Sequence, residues 1–197
     1  MYSGLKYNSK SRWLSYWYQI NETVSRNPEN ILIIGKGSGI VEKIISVIAS
    51  QIKTVVLDIE PGLLPDIMGD IKNLPIKDAA FDCILCCQVL EHLPFEGIPV
   101  ILNEFNRVVK DFAVVSVPQK RKYIKIEVDA PLIGHHLIIM KNPFTKRTIS
   151  SKQHHWEINR GVSFKEVKRT FEQVFSIEKT FLNEVNCNHR FFILRKR

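Results

Sequence analysis

The chain has 197 residues, with 28 Lys and Arg against 20 Asp and Glu, for a formal net charge of +8. Apolar residues make up 45% and charged residues 24%. This is globular composition, and it excludes a fibre, a disordered tail and a disulfide-dependent miniprotein. The length suits one layered domain with its own core.

The elements follow in chain order. Residues Lys10 to Arg26 have helical potential, with Trp13, Leu14, Trp17, Tyr18 and Ile20 apolar or aromatic, and Asn27-Pro28 ends them. Asn30 to Ile34 is a strand, unbroken in its apolar run as a strand buried on both faces should be. A glycine-rich turn from Gly35 to Gly39 leads into a helix, Ile40 to Ser50. Thr54 to Asp58 is a second buried strand. A loop at Pro61 to Pro65 and a short extended piece lead to Gly69-Asp70. Phe81 to Cys87 is a further strand, Pro94 to Lys110 a helix, and Phe112 to Val117 a fifth strand. This β-α-β-β-α-β order with apolar strands predicts a parallel sheet covered by helices.

Gln119 to Arg160 breaks the rhythm, with Pro131, Pro143 and the pairs His135-His136 and His154-His155. It reads as an insertion. Ser163 and Glu166 have capping-box spacing before a helix to about Phe175. Ser176 to Phe181 and Phe191 to Arg195 complete the chain as paired strands.

Charge is divided along the chain. Residues 1–118 hold 11 basic and 13 acidic residues; residues 119–197 hold 17 basic and 7 acidic. Lys120, Arg121, Lys122 and Lys125 form one cluster and Arg195-Lys196-Arg197 another. Such a surplus marks either an anionic partner or a solvated basic face. Tyr123 alone interrupts the first cluster, which is sparse for single-stranded nucleic acid.

No apolar segment follows the polar start of the chain, so a secretory leader is not expected. The apolar stretch Leu132 to Met140 is too short to span a bilayer. A cytoplasmic location is the expectation. Cys83 and Cys86 have CxxC spacing, but three residues apart on a strand they point to opposite faces and cannot share a metal. No metal site is expected, because the histidines lack paired ligand spacing.

The chemistry concentrates in a few positions. Gly35, Gly37 and Gly39 let the chain turn sharply after a strand and let a ligand approach the backbone. The spacing is GxGxG, and Ile40 stands where a dinucleotide fingerprint needs glycine. Asp58, at a strand end about 20 positions on, can accept from both hydroxyls of a ribose. Asp70 can accept from an exocyclic amine such as that of adenine. In the insertion, His154, His155, Trp156 and Glu157 are the candidates for contact with a second substrate. A histidine titrates near neutrality and can take a hydroxyl proton. The alternative is that Trp156 packs the insertion onto the core and the histidines are surface.

These motifs, in order, resemble class I S-adenosylmethionine-dependent methyltransferases, in the branch often labelled type 11. The matching pieces are Ile34 to Gly39, Leu57 to Pro61, Gly69 to Pro75, Phe81-Asp82 and Gln88 to Leu93. The resemblance implies a doubly wound, mostly parallel, seven-stranded α/β sheet, a Rossmann-like methyltransferase fold with an insertion after the fifth strand. It implies one domain, with residues 30–118 as cofactor core, 119–160 as acceptor lid and 161–197 as C-terminal helix and antiparallel strands. S-adenosylmethionine would be held by Gly35, Gly37, Gly39, Asp58, Ile59, Asp70, Ile71 and Gln88. Acid–base work would fall to His92, His155 and Glu157, with His92 alternatively a packed histidine. Relatives usually carry an acid where this chain has Ile33, and a small or uncharged residue where it has Lys36. Both changes are expected to weaken a sulfonium ligand.

No Asn-Pro-Pro-Tyr-type motif follows the fourth strand, which argues against methylation of DNA bases or glutamine amides. The expected reaction is methyl transfer to an O or N atom of a small or carrier-linked, anionic metabolite. The alternatives are an RNA methyltransferase using the basic last third, and a degenerate cofactor-fold protein that binds or scaffolds without catalysis.

Overall fold

The computed structural model describes residues 4, 7–120, 123–131, 134–141, 151–184 and 187–197. Eleven strands and four α-helices occur among them. In order these are α1 (Lys10–Val24), β1 (Asn30–Ile34), α2 (Ile40–Ile48), β2 (Lys53–Asp58), β3 (Ile67–Met68) and β4 (Phe81–Cys87). Next come α3 (Ile98–Val108), β5 (Val109–Pro118), β6 (Tyr123–Ala130), β7 (Gly134–Lys141), β8 (Glu157–Ile158) and β9 (Gly161–Val162). The chain finishes with α4 (Phe164–Glu172), β10 (Phe175–Leu182) and β11 (His189–Lys196).

Seven strands make one sheet in the order β10-β11-β5-β4-β1-β2-β3. The five from β1 to β5 are parallel, and β11 and β10 add antiparallel at one side. Side chains alternate between faces along each strand. Leu32 and Ile34 enter one core with Ile84, Cys86 and Val115, whereas Ile31 and Ile33 enter the other with Cys83, Leu85 and Val114. The first core is covered by α3 and α4 through Phe105 and Phe171; the second is covered by α1 and α2 through Ile20 and Ile45. The sheet is therefore doubly wound. Cys83 and Cys86 do lie on opposite faces, and burial pushes both thiols well up from their ordinary range.

Local signals set the ends of the elements. Ser163 Oγ accepts from the Glu166 N–H at 3.1 Å and Glu166 Oε2 accepts from the Ser163 N–H at 2.8 Å, the expected capping box. The helix expected over Pro94 to Lys110 is shorter. Residues Phe95–Gly97 form a 3-10 turn, and Lys110 already belongs to β5. Within the segment read as an insertion, β6 and β7 pair antiparallel, in register from Tyr123↔Lys141 to Ala130↔Gly134.

The strand order reverses between β1 and β4. In open α/β sheets a crevice opens there, beyond the carboxyl ends of the strands. Because β11 runs antiparallel to β5, it starts at that edge, with His189 opposite Pro118, and finishes at the far edge. Arg195 therefore lies remote from the crevice, tied to Asp111 at 2.5 Å and Glu178 at 2.6 Å. Lys196 and Arg197 bind the backbone carbonyls of Val109 and Glu172.

Candidate active site

The glycine turn begins where β1 stops. Gly35 has φ +85°, and a Cβ built there would stand 2.6 Å from Val89 Cγ2. Gly37 has φ +52°, and a Cβ there would meet nothing within 4 Å, so its backbone borders open space. Gly39 precedes α2. The Lys36 N–H donates to Asp58 Oδ2 at 2.7 Å, locking the turn to the end of β2. The Lys36 ammonium donates to the Leu64 carbonyl at 2.5 Å and lies 3.9 Å from Glu42. The extra cation thus has its own partners. Ile33, in place of an acid, is core, 6% exposed.

Asp58 Oδ1 accepts from the Glu60 N–H at 3.0 Å, which leaves lone pairs on both oxygens for further donors. A small apolar cavity of about 230 Å³ opens between β1, β2 and β3. Gly35, Asp58, Ile59, Asp70, Ile71 and Val89 are among its walls. Ile59 is 70% exposed, an apolar side chain presented rather than packed. Asp70 Oδ1 accepts from the Lys72 N–H at 3.0 Å. The five expected positions Gly35, Asp58, Ile59, Asp70 and Ile71 therefore converge.

A larger cavity of about 1100 Å³ joins the glycine turn to the 151–158 segment. This is at the upper end of small-molecule sites, roughly 300–1,000 Å³. Gln88 stands on its floor with φ +59°, unusual for a residue bearing a side chain. The backbone is held by the Gln88 N–H donating to Ser116 O at 2.8 Å, and the side-chain amide donates to Ser116 Oγ at 3.2 Å. The helix α1 forms a wall, with Tyr16 Oη donating to Asn8 Oδ1 at 2.9 Å and 3.2 Å from Ser38 Oγ. His189 Nδ1 lies 2.9 Å from Ser15 Oγ, itself an acceptor from Asn183 Nδ2 at 2.7 Å. Burial, with the Arg12 charge next in importance, pushes the His189 imidazole down to about 4. Neither His189 nor Gln119, which accepts from Arg190, was foreseen from the sequence. The available signal was Ser15 and Gln19, polar residues one turn apart on the buried face of α1.

At the other end, residues Leu90–His92 form a 3-10 turn after β4. Glu91 is fully buried, and neither carboxyl oxygen has a hydrogen-bond partner. Burial pushes this carboxyl up to about 8; its own backbone N–H opposes the shift, and the Glu157 charge adds to it. His92 Nδ1 lies 3.2 Å from Gln153 O, and its ring meets that of His154 edge-on at 5.0 Å. His154 Nδ1 lies 2.9 Å from Glu157 Oε1. Glu157 is 3% exposed, with Lys120 at 3.7 Å and Arg160 at 3.6 Å.

His92 and Glu157 line this cavity, as does His154, but His155 does not. The reason lies in how the segment is pinned. The Trp156 indole is buried against Phe95 and donates to Leu93 O at 3.1 Å, and the His155 N–H donates to Glu91 O at 2.9 Å. With the backbone so held, the His155 ring is exposed and its neighbour faces the cavity. Arg121 and Lys122 of the basic cluster lie outside the described residues.

Residues 32–116 match the family described as a methyltransferase domain. With the seven-stranded sheet and its switch-point crevice, the match makes that span, somewhat under half of the chain, similar to class I S-adenosylmethionine-dependent methyltransferase domains. The features at the switch point fit that cofactor: open space beside Gly37, a carboxylate at the end of β2, and an exposed apolar wall at Ile59.

An uncharacterised protein of Methanocaldococcus jannaschii is 34% identical over 90 residues, 41% of this chain and 39% of its own. The chain thus matches about two-fifths of that relative's length. Among solved structures, the N-methyltransferase NodS of Bradyrhizobium japonicum, in complex with S-adenosylhomocysteine, is similar with TM-score 0.62 and 11% identity. That likeness covers 96% of this chain and 89% of NodS. A small RNA methyltransferase, HEN1, has TM-score 0.69 and 12% identity, over 94% of this chain and 25% of that one. A Pyrococcus horikoshii protein has TM-score 0.62 and 12% identity, over 96% of this chain and 93% of its own. No helix among the described residues is long and apolar enough to cross a membrane.

Proposed function

We propose that this chain transfers the methyl group of S-adenosylmethionine to an O or N atom of a small or carrier-linked acceptor. The observation that carries the reading is the larger cavity, which connects Gly35, Gly37 and Asp58 to a polar end built from Glu91, His92, His154 and Glu157. The cofactor supplies an electrophilic methyl on a cationic sulfur. Asp58 would hold the ribose diol and Asp70 the adenine amine, with Ile59 and Ile71 against the ring. Gly37 would let the methionine part lie on the backbone, flanked by Gly39, and Gln88 would border the sulfonium end. The remaining task is to place the acceptor in line and exclude water.

The wall formed by α1 and the 151–158 segment suits that task. Lys120 and Arg12 line the acceptor side and favour an anionic acceptor. His92 and Glu157 stand at the end where an acceptor proton would be lost. His155, exposed and outside the lining, has no contact there that would support a catalytic role. Arg195, Lys196 and Arg197 lie at the opposite sheet edge with partners of their own, which favours a small acceptor over RNA.

Calorimetry with S-adenosylhomocysteine tests the reading. Saturable binding is expected, weakened at least tenfold, or about 1.4 kcal/mol, by Asp58→Ala. Absence of binding at millimolar ligand would leave only a degenerate cofactor fold, and an unchanged affinity in the variant would remove the ribose assignment.

A further inference from the structure

Three side chains at the acceptor end converge without an evident purpose in holding the fold. One ligand atom each from Glu91, His92 and His154 lies within 4.8 Å of the others. A divalent transition cation with bonds of about 2.0–2.2 Å draws its ligand atoms to roughly 3.4 Å apart in a tetrahedral site. The difference is a side-chain adjustment, and His92 is exposed, with room to turn about its contact with Gln153 O.

Two further observations point the same way. Glu91 is completely buried, yet both of its oxygens lack a hydrogen-bond partner and it lines the cavity. A buried carboxyl group without partners is unfavourable, and such groups in folded proteins are normally paired or bound to a metal. The second observation is the hydrogen bonding of the imidazoles. A carbonyl oxygen can only accept, so the contact with Gln153 O puts the hydrogen of His92 on Nδ1. The Glu157 carboxylate, beside Lys120 and Arg160, does the same for His154. Both rings therefore keep a lone pair on Nε2. A histidine with its other nitrogen bound to a carboxylate or carbonyl is the usual arrangement of a metal-ligating imidazole.

We propose that Glu91, His92 and His154 bind a divalent first-row transition cation, with Glu157 and the Gln153 carbonyl orienting the two imidazoles. Two nitrogen donors and one carboxylate suit Mn²⁺, Co²⁺ or Zn²⁺ over Mg²⁺ or Ca²⁺, which take oxygen ligands. Three protein ligands leave positions open toward the cavity, where an oxygen completes the shell. If the methyltransferase reading holds, that oxygen belongs to the acceptor, whose hydroxyl becomes more acidic on the cation. This last consequence rests on that reading; metal binding does not.

The test is a titration of the metal-free full chain with Co²⁺, followed by the visible ligand-field bands, alongside calorimetry with S-adenosylhomocysteine. One equivalent is expected to bind, and Mg²⁺ in excess should not displace it. Glu91→Gln keeps the side-chain shape and His154→Ala lies outside the small cavity assigned to the cofactor, so both should keep the cofactor affinity while Co²⁺ affinity falls at least tenfold. Glu157→Gln should cost 10- to 100-fold through the orientation of His154. Lack of saturable Co²⁺ uptake by a chain that binds S-adenosylhomocysteine would overturn the metal site and leave the methyltransferase reading standing. Variants that bind Co²⁺ as the wild type does would also overturn it. Metal uptake without cofactor binding would support the site and sink the methyltransferase reading.

Discussion

Gly35 and Gly37 are two residues apart in one turn, yet alanine should act on them in opposite ways. Both have positive φ, +85° and +52°, so either substitution carries a backbone cost of about 1–2 kcal/mol. At Gly35 the new Cβ would stand 2.6 Å from Val89 Cγ2. Something must move, and overpacking of this kind costs a further 1–3 kcal/mol or so. Val89 lies between Gln88 and the turn that carries Glu91 and His92, so its displacement disturbs both ends of the cavity. Gly35→Ala should therefore destabilise the fold by about 2–5 kcal/mol. At Gly37 a Cβ meets nothing within 4 Å, so the fold should lose only the backbone cost. That Cβ would instead project into the space proposed for the cofactor. Gly37→Ala should weaken S-adenosylhomocysteine at least tenfold, about 1.4 kcal/mol, in a chain that is still folded. Urea denaturation and calorimetry on the two variants read both effects. Equal loss of stability in the two, or full ligand affinity in Gly37→Ala, would refute the reasoning.

Two further predictions concern the scaffold. Ser163→Ala removes half of the capping box of α4 and should cost about 1 kcal/mol in denaturant unfolding, without altering cofactor affinity. Glu104 is gripped by Arg107 through two hydrogen bonds, at 2.8 and 2.7 Å, and accepts from the Leu74 N–H at 2.8 Å. The Arg107 hydrogen bonds hold its carboxyl below the ordinary 4.5. The folded state thus resists protonation more than the unfolded chain does. The pair's contribution should be complete above pH 4.5 and fade as the pH falls through the lowered value. Unfolding measured against pH should show a shallower acid limb in Glu104→Gln than in the wild type.

What was legible in the sequence was local. The buried strands announced themselves by runs such as Ile31 to Ile34, because a parallel strand covered on both faces tolerates no polar residue. The glycine turn, Asp58 and Asp70 stood at strand ends, so the sheet geometry carried them to one crevice. The capping box needed only four consecutive residues. Even the disposition of Cys83 and Cys86 followed from the two-residue period of a strand. In contrast, helix length misled at Pro94 to Lys110, where apolar residues of helix and strand run together and β5 begins at Val109, which pairs with Phe81 of β4.

The end of the cavity proposed for the acceptor was decided by tertiary contacts. Nothing local tells His154 from His155; the choice was made when Trp156 was fixed on Leu93 and the His155 N–H on Glu91. The antiparallel return of β11 carried His189 to the cavity and took Arg195 to the far edge, though the two are only six residues apart. The pairing of β6 with β7 lay in a segment whose prolines and histidine pairs marked only a break in the βα rhythm. Sequence alone thus determined the sheet and which residues gather at its switch point, since those positions follow from periodicity and strand ends. Only the folded chain could bring Glu91, His92 and His154 together, because their meeting depends on hydrogen bonds between segments some sixty residues apart, and no local pattern encodes that distance.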